Sequence, residues 1–356
     1  MKWAKSKDQN FEEDLRGWPK GKRRKWNKET ENQIKKIFKN LEKDSKKFFT
    51  GATAIIQEWK NKFPDNPIPP IRTIGVILKS LGLSKSRKKG RNKGAARYLC
   101  YPEYTIYKLL KGRVLEIDFV GEKYITGRTD PIDFIGFAFK KSPKMRYFKR
   151  IQGQTSKNFI KYTGDFIKKF EKPDFVKVDN ALAAIGSASV KRNIGKSMQY
   201  LLEKQIIPIF AVPRKPFSQA SIEGNNSVFS RKFWNKINFK SVKEIDKKLG
   251  WFNDASAVYL GYHPPKTKKS KKKNFIPKIY FIRQVKEDEN GKICINILNE
   301  KIFLRKTFSN YFVLAEWNLK KEILYIRFEK NLKSKIIKEV KFKINETSKK
   351  NCENLF

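Results

Sequence analysis

Three carboxylates are placed where they could serve one reaction. The first lies in Val114-Leu115-Glu116-Ile117-Asp118-Phe119-Val120, a stretch that reads as a buried strand with Asp118 near its carboxyl end. An ionised carboxylate among apolar residues is costly unless something neutralises it. In open α/β sheets, ligand sites gather at the carboxyl ends of parallel strands. The second, Asp179, closes the short apolar strand Asp174-Phe-Val-Lys-Val-Asp179. The third, Glu223, falls in a helix expected from Gln219 to about Asn235, after the strand Ile206–Val212. If the second strand lies beside the first, the two aspartates meet at one sheet edge and the helix brings Glu223 over them. Oxygen ligands of this kind suit Mg2+ or Mn2+. A pair of such ions promotes phosphoryl transfer by activating an attacking oxygen and stabilising the leaving one. Glu116 alternates onto the same strand face as Asp118 and is the nearest competitor for a ligand role.

The elements that must carry these residues follow from the patterning. Arg113–Val120, Ile132–Phe139 and Met145–Ile151 alternate as three strands joined by turns. An amphipathic helix follows over Thr155 to Phe170, then the Asp179 strand, a helix near Val190–Gln205, the strand Ile206–Val212 and the Glu223 helix. Asp133, inside the second strand, reads as structural. Upstream, a helix beginning at Thr30 places Ile34, Ile37, Phe38 and Leu41 on one stripe. Two shorter helices come next, one near Thr53 to Phe63 and one after Pro69-Pro70 that closes at Leu81-Gly82. A short helix, a tight connection and a second helix opening on Arg72 and Thr73 have the form of a helix-turn-helix, whose second helix enters the major groove. The basic run Lys85 to Lys93, with Lys85, Arg87, Lys88 and Lys89, would lie along the DNA backbone. Downstream, closely spaced alternating strands from Pro277 to Phe328 suggest a small barrel.

The charge balance points to the partner. The chain has 81 Lys+Arg against 35 Asp+Glu, a formal charge of +46. Such a field attracts polyanions, with nucleic acid expected ahead of an anionic membrane surface. Apolar residues at 39% and 28 phenylalanines speak for globular folding. Three widely spaced cysteines and a single histidine, His263, argue against a disulfide framework and exclude a zinc finger and a Ser-His-Asp triad. His263, beside Pro264-Pro265, reads as a packing or turn residue. Gly195-Lys196-Ser197 lacks the earlier glycine of a phosphate-binding loop. No apolar run is long enough to span a bilayer, and the first residues lack a signal peptide's apolar core, so a soluble, cytoplasmic, nucleoid-associated protein is expected.

Together, Glu116-Ile-Asp118-Phe, Val178-Asp179-Asn180 and Pro213-x-x-Pro-x-Ser-Gln-Ala-Ser-Ile-Glu223-Gly-Asn-Asn226 resemble the ribonuclease-H-like core of DDE transposases and retroviral-type integrases. The interval from Asp179 to Glu223 is somewhat longer than the integrase-like spacing. The resemblance covers most of residues 28–328, including the helix-turn-helix before the core and the small barrel after it. It lacks the amino-terminal His/Cys zinc domain of retroviral integrases and so is closer to an insertion-sequence transposase.

The resemblance implies a multidomain α/β and β protein. Its parts are a basic arm (1–27), a helix-turn-helix region (28–95), a linker (96–110) and a ribonuclease-H-like core with a mixed five-stranded sheet and helices (111–265). A Lys-rich linker (266–275), a small β-barrel (276–330) and a charged tail (331–356) complete it. It makes Asp118, Asp179 and Glu223 the metal ligands, with two Mg2+ or Mn2+ ions. Asn226 and Asn180 become substrate-positioning groups, and Arg214, Lys215, Arg231 and Lys232 face DNA, with Lys271, Lys272 and Lys273 gripping its backbone. The partners implied are double-stranded element ends and target DNA, bound by a homo-oligomer with no membrane involvement. The implied activity is metal-dependent DNA cleavage followed by 3′-hydroxyl strand transfer. Two alternatives stay open: a catalytically inactive DNA-binding regulator derived from a transposase, and a ribonuclease-H-like nuclease.

Overall fold

The computed structural model describes residues 26–84, 112–186, 190–263, 275–330 and 333–350. The basic arm up to residue 25, Lys85, Arg87, Lys88, Lys89, the linker 96–110 and Lys271, Lys272 and Lys273 lie outside the described residues. The chain divides into two compact units, Met1–Lys89 and Gly90–Phe356. Among the described residues no helix is long and apolar enough to cross a membrane.

The first unit holds three helices that pack on one another: α1 (Lys28–Lys43), α2 (Ala52–Lys62) and α3 (Ile71–Ser80). Asn27 starts α1 by accepting from the Thr30 amide at 3.0 Å, satisfying one of the free N–H groups of the first turn. The helix buries the expected stripe, Ile34, Ile37, Phe38 and Leu41. Against it pack Ala54, Ile55 and Trp59 of α2 and Ile74, Ile77 and Leu78 of α3. The connection between α2 and α3 runs from Phe63 to Pro70. That is longer than the tight turn expected, because Pro64, Pro67, Pro69 and Pro70 keep their predecessors out of helical geometry. Arg72 is exposed on α3 and Thr73 is half-buried.

In the second unit β1 (Val114–Lys123), β2 (Ile132–Phe139) and β3 (Met145–Ile151) form an antiparallel meander. Helix α4 (Ser156–Lys169) leads to β4 (Phe175–Val178), which pairs parallel to β1 with Glu116 opposite Lys177. The short α5 (Leu182–Ile185) and α6 (Lys196–Glu203) precede β5 (Ile207–Phe210), parallel to β4. The helix expected from Val190 starts only at Lys196. A Cβ on Gly195 would lie 2.7 Å from the Cα of Gly186, and this close approach of two backbones holds the preceding loop out of helical geometry. A 3-10 turn (Pro216–Gln219) opens α7 (Ala220–Lys232), the Glu223 helix.

Helix α8 (Val242–Leu260) was not expected from the sequence, although Ser241-Val-Lys-Glu244 carries its start signal. Ser241 Oγ accepts from the Glu244 amide at 3.2 Å, and Glu244 Oε2 accepts from the Lys240 amide at 2.9 Å, a variant of the capping box in which the carboxylate reaches one residue beyond the N-cap. Asn253 of α8 takes both backbone groups of Phe148, at 2.9 and 2.8 Å, and so covers the free edge of β3.

The strands expected to form a small barrel of their own are stitched into the core. They are β6 (Lys278–Gln284), β7 (Lys286–Glu287), β8 (Ile293–Ile297), β9 (Glu300–Phe303), β10 (Phe312–Asn318) and β11 (Ile323–Lys330). Strand β6 pairs parallel to β5, giving a nine-stranded sheet in the order β12-β11-β10-β6-β5-β4-β1-β2-β3, while β7, β8 and β9 form a second sheet. The edge strand of the nine-stranded sheet, β12 (Lys333–Lys341), and the short α9 (Glu346–Lys350) belong to the segment expected as a charged tail. The correction has a plain cause. Phe342 and Ile344 are buried, and the Trp317 indole donates to the Phe342 carbonyl at 2.9 Å. One hydrophobic cluster contains Leu115, Phe166, Phe210 and Phe281 together with Ile295, Trp317 and Phe342, so the core and the carboxyl-terminal strands share an interior.

Candidate active site

The site forms on the face of β1 and β2 that α7 covers, where β4 lies alongside β1. Strand alternation turns Leu115 and Ile117 to the α4 side and Glu116 and Asp118 to the α7 side. Across the β1–β2 ladder Asp118 stands opposite Gly136. A Cβ there would come within 2.8 Å of the Phe148 ring and 3.3 Å of Ile222, so glycine lets α7 settle close to the sheet.

Glu116 is fully buried and has a structural partner at each end of its reach. Its Oε2 accepts from the Ile222 amide at 2.9 Å, in the first turn of α7, where no side chain of the helix itself supplies a cap. A carboxylate at a helix amino terminus also opposes the positive end of the helix dipole. Its Oε1 lies 4.0 Å from the Lys177 ammonium, which is buried as well and donates to the Ser218 carbonyl. Burial pushes the Lys177 ammonium down to about 8, with Glu116 acting against the shift. Glu116 is thus engaged in anchoring α7 to the sheet.

Asp118 is different. Its carboxyl is pushed up to about 7, first by burial, then by the charges of Asp179 and Glu223, against a hydrogen bond from Asn226. Asn226 Nδ2 donates to Asp118 Oδ2 at 2.8 Å. Asp179 sits just past β4, where burial raises its carboxyl and a 3.0 Å hydrogen bond from the Ala181 amide opposes the shift. Asp118 and Asp179 are half-buried and Glu223 is exposed. Asp118 on β1 therefore feels the charges of the residue that follows β4 and of one on α7.

A divalent cation fits this donor set. All three groups are hard oxygen donors, and their mutual repulsion is what a cation would relieve. Asn226 Oδ1 is buried beside Asp118 without a hydrogen-bond partner among the described residues, the position of a polar atom that a bound water or ion would satisfy. Among the described residues no three His, Cys, Asp or Glu side chains are drawn up around one point.

The remaining residues divide. Arg214 is exposed in the loop before α7 with φ +56, and Lys215 is half-buried beside it. Arg231, exposed, and Lys232, half-buried, close α7, and the nearby Arg231 and Lys236 add to burial in lowering the Lys232 ammonium. Asp133 accepts from Gln154 Nε2 at 3.1 Å and the Glu122 amide at 3.3 Å, in keeping with a structural role. His263 is exposed just past α8.

Two charged residues were missed by sequence reasoning. Lys177 lies within Phe175-Val-Lys-Val178 and Arg283 within Lys278-Ile-Tyr-Phe-Ile-Arg-Gln284. The available signal was a cation inside an apolar strand, which demands a partner. Arg283 is 6% exposed and donates to Asn180 Oδ1 at 2.8 Å, directly behind Asp179.

No protein-family model matches the sequence, and neither does any curated protein. Among solved structures the chain is similar to a chain of the simian T-cell lymphotropic virus intasome in complex with PP2A regulatory subunit B56 gamma. That likeness has a TM-score of 0.36 at 12% identity and covers 83% of this chain and 96% of that one. It is also similar to the HTLV-2 integrase catalytic core domain in complex with magnesium. The dimeric form gives a TM-score of 0.28 at 13% identity, over 38% of this chain and 81% of that one. The trimeric form gives 0.29 at 12%, over 39% and 82%.

Proposed function

We propose that the chain is a DNA transposase of the DDE type, which cleaves element ends and transfers the 3′-hydroxyl into target DNA. The observation that carries this reading is the elevated Asp118 carboxyl, which feels both Asp179 and Glu223 from separate elements. A carboxyl perturbed by burial together with specific charged neighbours is the environment that active sites arrange for their acids. Asp118, Asp179 and Glu223 hold Mg2+ or Mn2+. Two such ions, when bound, supply activation of the attacking oxygen and stabilisation of the leaving oxygen.

The other residues bind and orient. Asn226 holds Asp118 by the hydrogen bond already described, and Asn180 fixes the turn after Asp179. Arg214, Lys215, Arg231 and Lys232 flank α7 at both ends and engage the phosphates near the scissile bond. Arg72 and Thr73 on α3 read the element end, and Lys85, Arg87, Lys88 and Lys89 follow its backbone. Lys271, Lys272 and Lys273 grip DNA without sequence preference, so binding weakens steeply with salt. Two ends must be joined in one complex, so the working form is a multimer of this chain.

The test is to incubate the protein with duplexes carrying candidate element ends and Mg2+ or Mn2+, comparing wild type with Asp179→Asn. Nicking and joining that need the metal and vanish in the variant are expected. Binding without cleavage under either metal would favour a regulator instead, and cleavage of RNA–DNA hybrids alone would favour a nuclease.

A further inference from the structure

Arg283 occupies an unusual position for a cation. It lies in β6, beyond β1 to β5 in the chain, and its guanidinium is buried among neutral oxygens. Nε donates to the Asn296 carbonyl at 3.0 Å, Nη1 to the carbonyls of Ala211 and Ile282 at 3.1 and 2.9 Å, and Nη2 to Asn180 Oδ1. Among the described residues no carboxylate pairs with it. Burial pushes its pKa down to about 9, which still leaves it charged at neutral pH.

A buried charge without a counterion costs more than its hydrogen bonds to neutral acceptors return, and an apolar side chain of similar volume would pack there more cheaply. Stability alone is therefore a poor reason for arginine at this position. Geometry supplies a better one. Asn180 follows Asp179 in the turn after β4, and Ala211 follows β5. Asn180 Nδ2 donates to the Ala211 carbonyl at 2.7 Å, the same oxygen that Arg283 Nη1 reaches. Arginine, Asn180 and Ala211 thus close a hydrogen-bonded ring that fixes both strand ends. The flat fork of a guanidinium can make these bonds at once, which an ammonium cannot. A second contact from the same half of the sheet acts on the other catalytic element. Phe312 of β10 meets Phe217 edge-on at 5.9 Å, in the turn that opens the Glu223 helix.

We propose that Arg283 is a positioning residue for the Asp179 turn. Through Asn180 it sets where the Asp179 carboxylate stands. The inference rests on the transposase reading for the reaction that this carboxylate serves. It makes the carboxyl-terminal strands part of the catalytic unit, beyond any grip on DNA.

The test uses the full chain as Arg283→Met, Arg283→Lys, Asn180→Ala and the double variant Arg283→Met with Asn180→Ala. Amide exchange at Ala181, whose N–H closes the Asp179 turn, is followed beside exchange in α4 and α8. Arg283→Met should speed Ala181 exchange by about tenfold, the effect of losing a hydrogen bond to a charged group, and leave α4 and α8 unchanged. Strand-transfer kcat should fall by about the same factor with KM for DNA little altered. Asn180→Ala should reproduce both effects, the double variant should be no worse than either single, and Arg283→Lys should recover part of the loss. Should Arg283→Met fail to fold, Arg283→Lys and Asn180→Ala carry the same comparison. Unchanged Ala181 exchange, or losses that multiply in the double variant, would overturn the proposal. A wild type inert on every DNA with either metal would sink the transposase reading, while loosened Ala181 exchange would still uphold the positioning role.

Discussion

Asn226 Nδ2 donates to Asp118 Oδ2 at 2.8 Å across 108 positions of sequence. Asn226 lies three residues beyond Glu223, so one face of α7 presents both groups toward Asp118 at the middle of β1. This bond keeps Asp118 aimed at α7 and favours its charged form. Asn226→Ala should lower the single-turnover joining rate by about tenfold to a hundredfold, the usual cost of losing a hydrogen bond to a charged group. DNA affinity should stay within about twofold. An equal fall in affinity and rate would instead place Asn226 on the DNA.

The raised carboxyl at Asp118 gives a signed pH dependence. Its value moves from 3.8 to about 7 on folding, so the native state holds this proton more tightly than the unfolded chain. Its contribution to stability is greatest below pH 3.8, declines as pH rises through about 7, and is level above that. Asp118→Asn should therefore raise Tm at pH 8 in the presence of a chelator and leave Tm near pH 4 almost unchanged. Added Mg2+ should flatten the wild-type slope. A Tm gain of equal size at both pH values would contradict the assignment.

The buried Glu116 and Lys177 pair predicts non-additive mutants. Lys177→Met removes the ammonium 4.0 Å from the buried Glu116 carboxylate and should cost about 3–5 kcal/mol. Lys177→Met with Glu116→Gln keeps an acceptor for the Ile222 amide and removes both charges, so it should be more stable than Lys177→Met alone. Urea unfolding of the variants measures this directly. Additive losses would mean that the two side chains do not act as a pair.

Ending the chain after Lys330 removes β12 and the buried Phe342, and leaves the Trp317 indole without its acceptor. Burying a phenylalanine contributes roughly 1.5–3 kcal/mol, and the lost strand pairing adds to it. A clear fall in Tm and a red-shifted tryptophan emission are expected. An unchanged Tm would restore the view of residues 331–356 as a solvated tail.

Much of this was legible in the sequence because it is local. The stripe Ile34, Ile37, Phe38 and Leu41 announces its helix, whereas the strand expected to end near Asp118 runs on to Lys123 and leaves that residue at its middle; Asp179 does follow the end of its short strand. Helix α8 was equally local, through its Ser241 and Glu244 box, and went unread between a basic loop and a proline pair. What sequence could not supply is nonlocal pairing. That β6 hydrogen-bonds to β5, across the span holding α7 and α8, depends on no motif. For the same reason the sequence does not reveal that the Ile222 amide and Lys177 lie beside Glu116. The role of Arg283 likewise became visible only with Asn180 in reach.

Binding of Mn2+ to the full-length protein, followed by electron paramagnetic resonance, tests the central claim most directly, because it asks whether carboxylates from β1, β4 and α7 share one cation site. Asp118→Asn, Asp179→Asn and Glu223→Gln should each weaken binding by about tenfold or more, at least the cost of losing a partner of a ligand. Glu116→Gln should leave binding near the wild-type value. Wild-type affinity in all three carboxylate variants, or a loss confined to Glu116→Gln, would contradict the account.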